Sequence, residues 1–452
     1  MVTHKFTKNG MNSPNNYDSN YRLAIHGIDD AWRPEFPEPA AGDRTGQIFR
    51  RRHTAARAVV SVTAGRRYHP VATRPSGGFF GNGDECMRAD VAVIGGGMFG
   101  AALAFGLRRA GRDVVMIDEG DNAHRAARGN FGLVWVQSKG IDSPTYAAWT
   151  RRSANAWTDF AAELSELTGV DTHHRRPGGL DLCLGEDELE ERRQKMQRLA
   201  QASEGAFTYE MLDRSAVEGM VPGIGPDVVG ASYSPHDGDA NPLNLLRALH
   251  AGYRRLEGRA LVDRKVLGVR PDGDGFEIKL EDESLRADQV VLAAGLGNKQ
   301  LATGVGIDAP IAPLKGEIMV TEKVQPFLDY PLSRVRQTAE GGVLIGDSHE
   351  DVGLENEARP SVMAFLAHRA RRMFPFLAEA RIVRAWGAIR PMLPDGLPLY
   401  QQSETAPGAF IVAGHSGVTL AAVHATVMAP AIAEGRMPND VAPLNLERFN
   451  VH

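Results

Sequence analysis

The sequence predicts an α/β domain built on a parallel sheet, joined to a second part of mixed α+β character. Three observations carry this. A short apolar run, residues 91–94, meets a glycine-rich turn, a helical stretch and a second apolar run that ends in an acid. Two more apolar runs ending in small residues lie far downstream, "ADQVVLAAGLGN" from Ala287 and "GAFIVAGHSGVTLAAVHA" from Gly408. Between them, helical patterns alternate with short strand patterns. At about 150 residues per domain, the length allows two or three domains.

The first 86 residues come before any of this. They are polar, show little hydrophobic period, and carry 12 Lys and Arg against 8 Asp and Glu. They lack the apolar core of a secretory signal. The acids Asp29, Asp30, Glu35, Glu38 and Asp43 do not suit a transit peptide. We expect a poorly ordered extension over 1–86. It reads either as a docking arm or as the product of a start codon placed too early, since Met87 directly precedes "RADVAVIGGG".

In the glycine-rich unit, Gly95, Gly97 and Gly100 fit G-x-G-x-x-G after a β-branched strand. The first glycine allows a tight turn, the second a close approach of backbone to a pyrophosphate, the third close packing of helix on strand. "AALAFGLRRAG" follows as the helix, whose N-terminal N–H groups and dipole favour an anion. "DVVMIDEG" is the second strand and ends at Asp118, twenty-three residues after Gly95. An acid at that distance suits a ribose hydroxyl. The unit is a Rossmann-type dinucleotide cradle.

The cradle alone does not separate FAD from NAD. The downstream runs help. Ala294 and Gly295 end one, and Gly414 and Gly417 open a helix after the other. Small residues at strand ends permit close approach of a ligand. A large cofactor touched by three distant segments suits FAD. With "WGAIRPMLPDGLPLY" (386–400) and "AGHSGVTLA", the order of motifs resembles the FAD-dependent amino-acid oxidase superfamily, which includes glycine oxidase, sarcosine oxidase, the small subunit of D-amino-acid dehydrogenase and opine oxidase subunits. The resemblance runs from Met87 to the C-terminus.

It implies a Rossmann-type FAD-binding domain assembled from 87–170, 232–306 and 384–452, and a substrate-covering domain, mostly antiparallel sheet, from 171–231 and 307–383. It further implies that Gly95, Gly97 and Gly100 hold the pyrophosphate and Asp118 the ribose. Val266 would meet adenine, and Asn130 and Gly132 would lie beside the isoalloxazine. The loop 414–419, with Gly414, Gly417 and Val418, would aim a helix N-terminus at the ring. The flavin is expected to be non-covalent: "FGLVWVQ" holds no histidine and no cysteine follows Cys183. Cys183 itself reads as a small buried hydrophobe.

By the same resemblance Arg390 grips a substrate carboxylate, as a guanidinium does bidentately. The alternative is a structural arginine paired with an acid such as Asp395. The last loop reads "GHSGVT", with Ser416 where glycine oxidase has arginine. A second cation must then come from elsewhere. Arg336, in "SRVRQTAEGGVLIGDS", is the candidate, and a surface arginine is the alternative. No general base is demanded. His236, His349 and His415 could assist, although each reads first as a local hydrogen-bonder. "HHRRPGG" (173–179) reads as a solvated loop rather than a metal or phosphate patch.

The middle segments read as two helices, 146–167 ending at Gly169 and the charged "EDELEERRQKMQRLAQAS", then an amphipathic "NPLNLLRALHAGYRRLEG". The whole chain carries a net charge of −5, which argues against nucleic acid. Two cysteines make neither a disulfide framework nor a zinc cluster, and no metal is expected. No apolar run approaches 18 residues, so we expect a cytoplasmic protein, at most peripheral to the inner face of the membrane. The expected activity is oxidation of the C–N bond of a D-amino acid, an N-alkyl glycine or an opine. Oxygen, a quinone or a partner subunit would take the electrons, in a homo- or hetero-oligomer. The alternative is a flavin-binding subunit without its own substrate.

Overall fold

The computed structural model describes residues 87–120 and 126–449, so the expected extension lies outside the described residues. The core is an eight-stranded sheet. At its centre runs strand Arg88–Ile94, parallel to Val114–Asp118 on one side and to Ser284–Leu292 on the other. Arg259–Val262 and Ala409–Ala413 extend the parallel part outward. Leu399–Gln402 closes one edge as an antiparallel strand, and the hairpin Gly268–Asp272/Gly275–Lys279 joins the start of Ser284–Leu292. Val91, Ala92 and Val93 have no exposed surface. A strand covered on both faces must be apolar throughout, which is why this stretch reads as a continuous run.

Helix Met98–Arg109 follows the glycine turn and is buried over its first ten residues. Its Gly106 lies against the segment beyond the last loop: a Cβ there would come 2.3 Å from the Ala425 carbonyl oxygen. The long helix Pro144–Thr168 starts on Ser143, whose side chain accepts from the Tyr146 amide, with Pro144 in the first turn, and stops at Gly169 in a left-handed conformation. It clamps the helix Gly417–Val423. Trp157 Nε1 donates to the Val418 and Thr419 carbonyls at 3.1 Å, and Ser153 Oγ to Thr419 O at 2.6 Å. Helix Pro242–Arg255 is capped by Asn241, whose Oδ1 accepts from two amides.

Two antiparallel sheets form the covering part. One has four strands in the order Val335–Gln337, Gly342–Ile345, Ala312–Lys323, Ile382–Met392. The other joins Gly179–Cys183, Gly230–Ser234 and Glu210–Asp213. A bridge between Leu180 and Leu332 links them.

The expected boundaries need correction here. The sequence pattern puts residues 384–392 in the FAD-binding part, but their strand pairs with Ala312–Lys323 from Ala312↔Met392 through Thr321↔Ile382. Strand Gly230–Ser234 likewise crosses the boundary expected at 232. Pairing partners are chosen by non-local register, which a local apolar pattern does not carry. Among the described residues, no helix is long and apolar enough to cross a membrane.

Gly106 tests the packing. Gly106→Ala should lower the unfolding free energy by about 1–3 kcal/mol, the usual cost of forcing atoms into a filled interface. An unchanged midpoint in thermal denaturation would show that the helix gives way more easily than its contacts imply.

Candidate active site

The carboxyl ends of the three central strands meet where crossover connections leave the sheet, the usual place for a ligand in an open α/β sheet. A cavity of about 1720 Å³ begins there and runs beneath the covering sheets. The glycines behave as their spacing predicts. Gly95 has φ +104°, and a Cβ on it would lie 2.4 Å from Ala293 O. A Cβ on Gly100 would lie 1.8 Å from Gly95 O, so only glycine lets helix and turn touch. A Cβ on Gly97 would meet nothing within 4 Å, which leaves that backbone open to the cavity.

Asp118 lines the cavity and ties the turn together, accepting from Gly96 N at 2.7 Å and Gly120 N at 2.9 Å. His250, which sequence reasoning missed, lies 2.8 Å from Gly96 O through Nε2. Val266, Ala294 and Gly295 line the same end. Helix Met98–Arg109 has no acid in its first turn to compete with an anion. A dinucleotide's pyrophosphate fits this cradle: open backbone at Gly97, helix N-terminal donors and a carboxylate at ribose distance along the chain.

Further along, Asn130 Oδ1 accepts from Gly132 N at 2.9 Å, closing a tight turn. Asn130 lines the cavity, whereas Gly132 stands behind it, at φ +93° with Ala240 O 2.5 Å from where a Cβ would be. Gly414 to Thr419 line the opposite wall. Gly414 has φ +142°, and Gly417 packs on Met98 so closely that a Cβ would lie 2.9 Å from Met98 Cβ. The two glycine-rich loops thus face one space.

Arg390 stands at the far end. It forms an ion pair with Asp347, and its guanidinium donates to Ser348 O at 3.0 Å. Asp395 is not its partner, because that carboxylate holds Arg448 at 2.7 Å. Burial would raise the Asp347 pKa, but Arg390, His349, Arg334 and Lys139 together pull it down to about 2. Burial lowers His349 to about 4 and drives His415 well below the ordinary histidine value, so both imidazoles are neutral at pH 7.

Arg336 is a correction. Its side chain is buried, donates to Phe131 O at 2.8 Å and pairs with Asp239 at 3.2 Å. It borders a separate recess with Asp239, His173, His174 and Arg175, and does not line the main cavity. Turning it inward would strand the buried Asp239 beside Arg175 alone, so it props the 130–132 turn from behind. His236 also lies off the cavity, beside Thr208. Cys183 lines the cavity, and burial pushes its thiol up to about 12, so it stays protonated.

Sequence reasoning missed Lys139, Arg334 and Asp347. Lys139 lines the cavity with Nζ 3.2 Å from His415 Nε2. Burial, helped by Arg390, lowers its pKa to about 8. A signal was present: it is a lone lysine seven residues after Gly132, straight after the apolar "LVWVQS".

With this geometry in hand, the comparisons decide the family. A family model described as FAD dependent oxidoreductase matches residues 90–431. The chain is an FAD-dependent oxidoreductase of that family. The B subunit of the opine oxidase of Agrobacterium tumefaciens (strain Ach5) is 42% identical over 362 residues, which span 80% of this chain and 98% of that protein. Glycine oxidase of Geobacillus kaustophilus is 26% identical over 370 residues, 80% of this chain and 97% of that one. The crystal structure of that organism's glycine oxidase superposes with a TM-score of 0.74, covering 80% of this chain and 98% of that chain. This FAD-dependent oxidoreductase would hold the pyrophosphate at Gly95–Gly97 and the ribose at Asp118, with the isoalloxazine between Asn130 and the 414–419 loop.

Lys139 gives a pH signature. Its folded pKa lies below the unfolded value of about 10.4. From pH 8 upward the unfolded chain therefore binds a proton that the folded chain lacks. The wild type should gain stability relative to Lys139→Met as pH rises from 8 to 10. Parallel melting curves for the two proteins over that range would contradict the depressed value.

Proposed function

We propose that the chain oxidises the C–N bond of an amine-bearing carboxylic acid of the opine class to an imine, which water then hydrolyses. What carries this reading is one continuous cavity that leads from the cradle to a buried arginine held by a carboxylate. The 42% and 41% identity to the B subunits of two opine oxidases favours opines over D-amino acids and N-alkyl glycines. The names of those relatives also support a hetero-oligomer in which a partner subunit takes the electrons onward.

FAD, when bound, supplies the hydride acceptor. The chain's own residues do the rest. Asp347 and Ser348 O fix Arg390 in one orientation, and its remaining N–H groups are left for a substrate carboxylate. A carboxylate fixed at Arg390 fixes the adjacent Cα–H relative to the cavity floor. The neutral His349 and His415 hold no proton to give to the amine, so the nitrogen lone pair stays available to expel hydride. The helix after Gly414 turns its N-terminus toward the cavity, where it stabilises developing negative charge.

Three outcomes are expected. Denaturing the purified protein should release yellow flavin into the supernatant, whereas a yellow pellet with a colourless supernatant would mean a covalent link. Anaerobic mixing with opines should bleach the visible flavin band faster than mixing with D-amino acids or sarcosine. Slow recolouring when air is admitted would support a partner subunit as acceptor, and fast recolouring would make the chain an oxidase. Arg390→Ala should raise KM at least about tenfold, the worth of a charged hydrogen bond, with flavin still bound. Loss of the flavin instead would make this arginine structural.

A further inference from the structure

Most charged groups around the substrate end of the cavity come in matched pairs. Asp347 holds Arg390, Asp181 holds Arg192 at 3.0 Å, and Glu188 holds Arg369 at 2.7 Å. Lys139 differs. Its hydrogen-bond partner is the ring of His415, and among the described residues no carboxylate oxygen lies within 4 Å of its Nζ. The ring is neutral, so it accepts a hydrogen bond without offsetting the charge. An ammonium enclosed without a counter-ion is costly, and a protein retains one where an anion arrives to meet it.

Arg390 and Lys139 face one chamber: each acts on the charge of the other, and both act on Asp347. Asp347 already offsets the charge of Arg390. A substrate with one carboxylate would satisfy Arg390 and leave Lys139 as uncompensated as before. A substrate with two would satisfy both.

We propose that Lys139 is the specificity-determining cation of this site, holding the second carboxylate of a secondary amine that carries a carboxylate on each side of its nitrogen. This rests on the proposed C–N oxidation and names the residue that would select its substrate. It also supplies the second cation that Ser416 does not provide and that Arg336, turned to Asp239, cannot.

The test uses the full-length flavoprotein at pH 7 and two ethers that lack an oxidisable amine. Oxydiacetate has a carboxylate on each side of its oxygen, and methoxyacetate has one. Their affinities are measured by calorimetry and by the change each causes in the visible flavin band. Wild type should bind oxydiacetate at least about tenfold tighter, the usual worth of a charge-assisted hydrogen bond. Lys139→Met should bring the ratio of affinities to within about twofold of one, and Lys139→Arg, which keeps the charge, should retain a several-fold preference. A wild-type ratio near one overturns the proposal even if the methionine variant fails to fold. So does a preference that survives in Lys139→Met. Bleaching by an amine with a single carboxylate, together with a ratio near one, would leave the C–N oxidation standing and remove only the role of Lys139.

Discussion

Everything in this molecule depends on how closely three strand ends approach one another. The parallel register sets Ile94 beside Ile117 and Leu292, so the backbone beyond each arrives at one place. There the Ala293 carbonyl comes so near Gly95 that no side chain fits. Backbone at that distance has to be hydrogen-bonded or opened to a ligand. The Asp118 carboxylate bonds to Gly96 and Gly120, and the Gly97 backbone is left exposed to the cavity. The cradle is what remains when close approach has excluded every other arrangement.

The second constraint is charge. Three arginines of the covering part stand close to the cofactor-binding part, and the carboxylate each one meets decides its use. Arg336 meets the buried Asp239 and becomes a prop. Arg390 meets Asp347 on the cavity wall and keeps donors for something else. Arg192 is enclosed by Asp181, Ser232, Ser138 and Gln137 and is fully occupied by them. Lys139, with only a neutral ring beside it, is the exception that the packing does not resolve internally. Residue type alone would have treated the three arginines alike.

This explains how much could be read from the chain. The cradle, Asp118, Ala294–Gly295 and the 414–419 loop were legible because each is a local signal: a glycine required by its own turn, an acid at the end of its own strand, a helix starting after its own loop. The helix at Pro144–Thr168 was legible for the same reason, with an apolar period and a glycine stop. The strand Ile382–Met392 was not. Its sequence says strand, but its membership in the covering sheet depends on register with residues some seventy positions earlier. The role of Arg336 was hidden for a related reason. Its partner Asp239 lies almost a hundred residues away in a separate segment, and nothing near "SRVRQ" announces it.

That misplaced strand has a broader meaning. Arg390 rides on the covering sheet, while Gly95, Gly97 and Asp118 belong to the other one. Recognition of the reacting molecule and retention of the redox group are therefore assigned to separate layers with separate hydrogen-bond ladders. Mutations can accumulate in one ladder without loosening the other. A lineage built this way can change what it consumes while keeping how it consumes it, and an overlay at TM-score 0.74 with only 26% of residues shared has the form such divergence would leave.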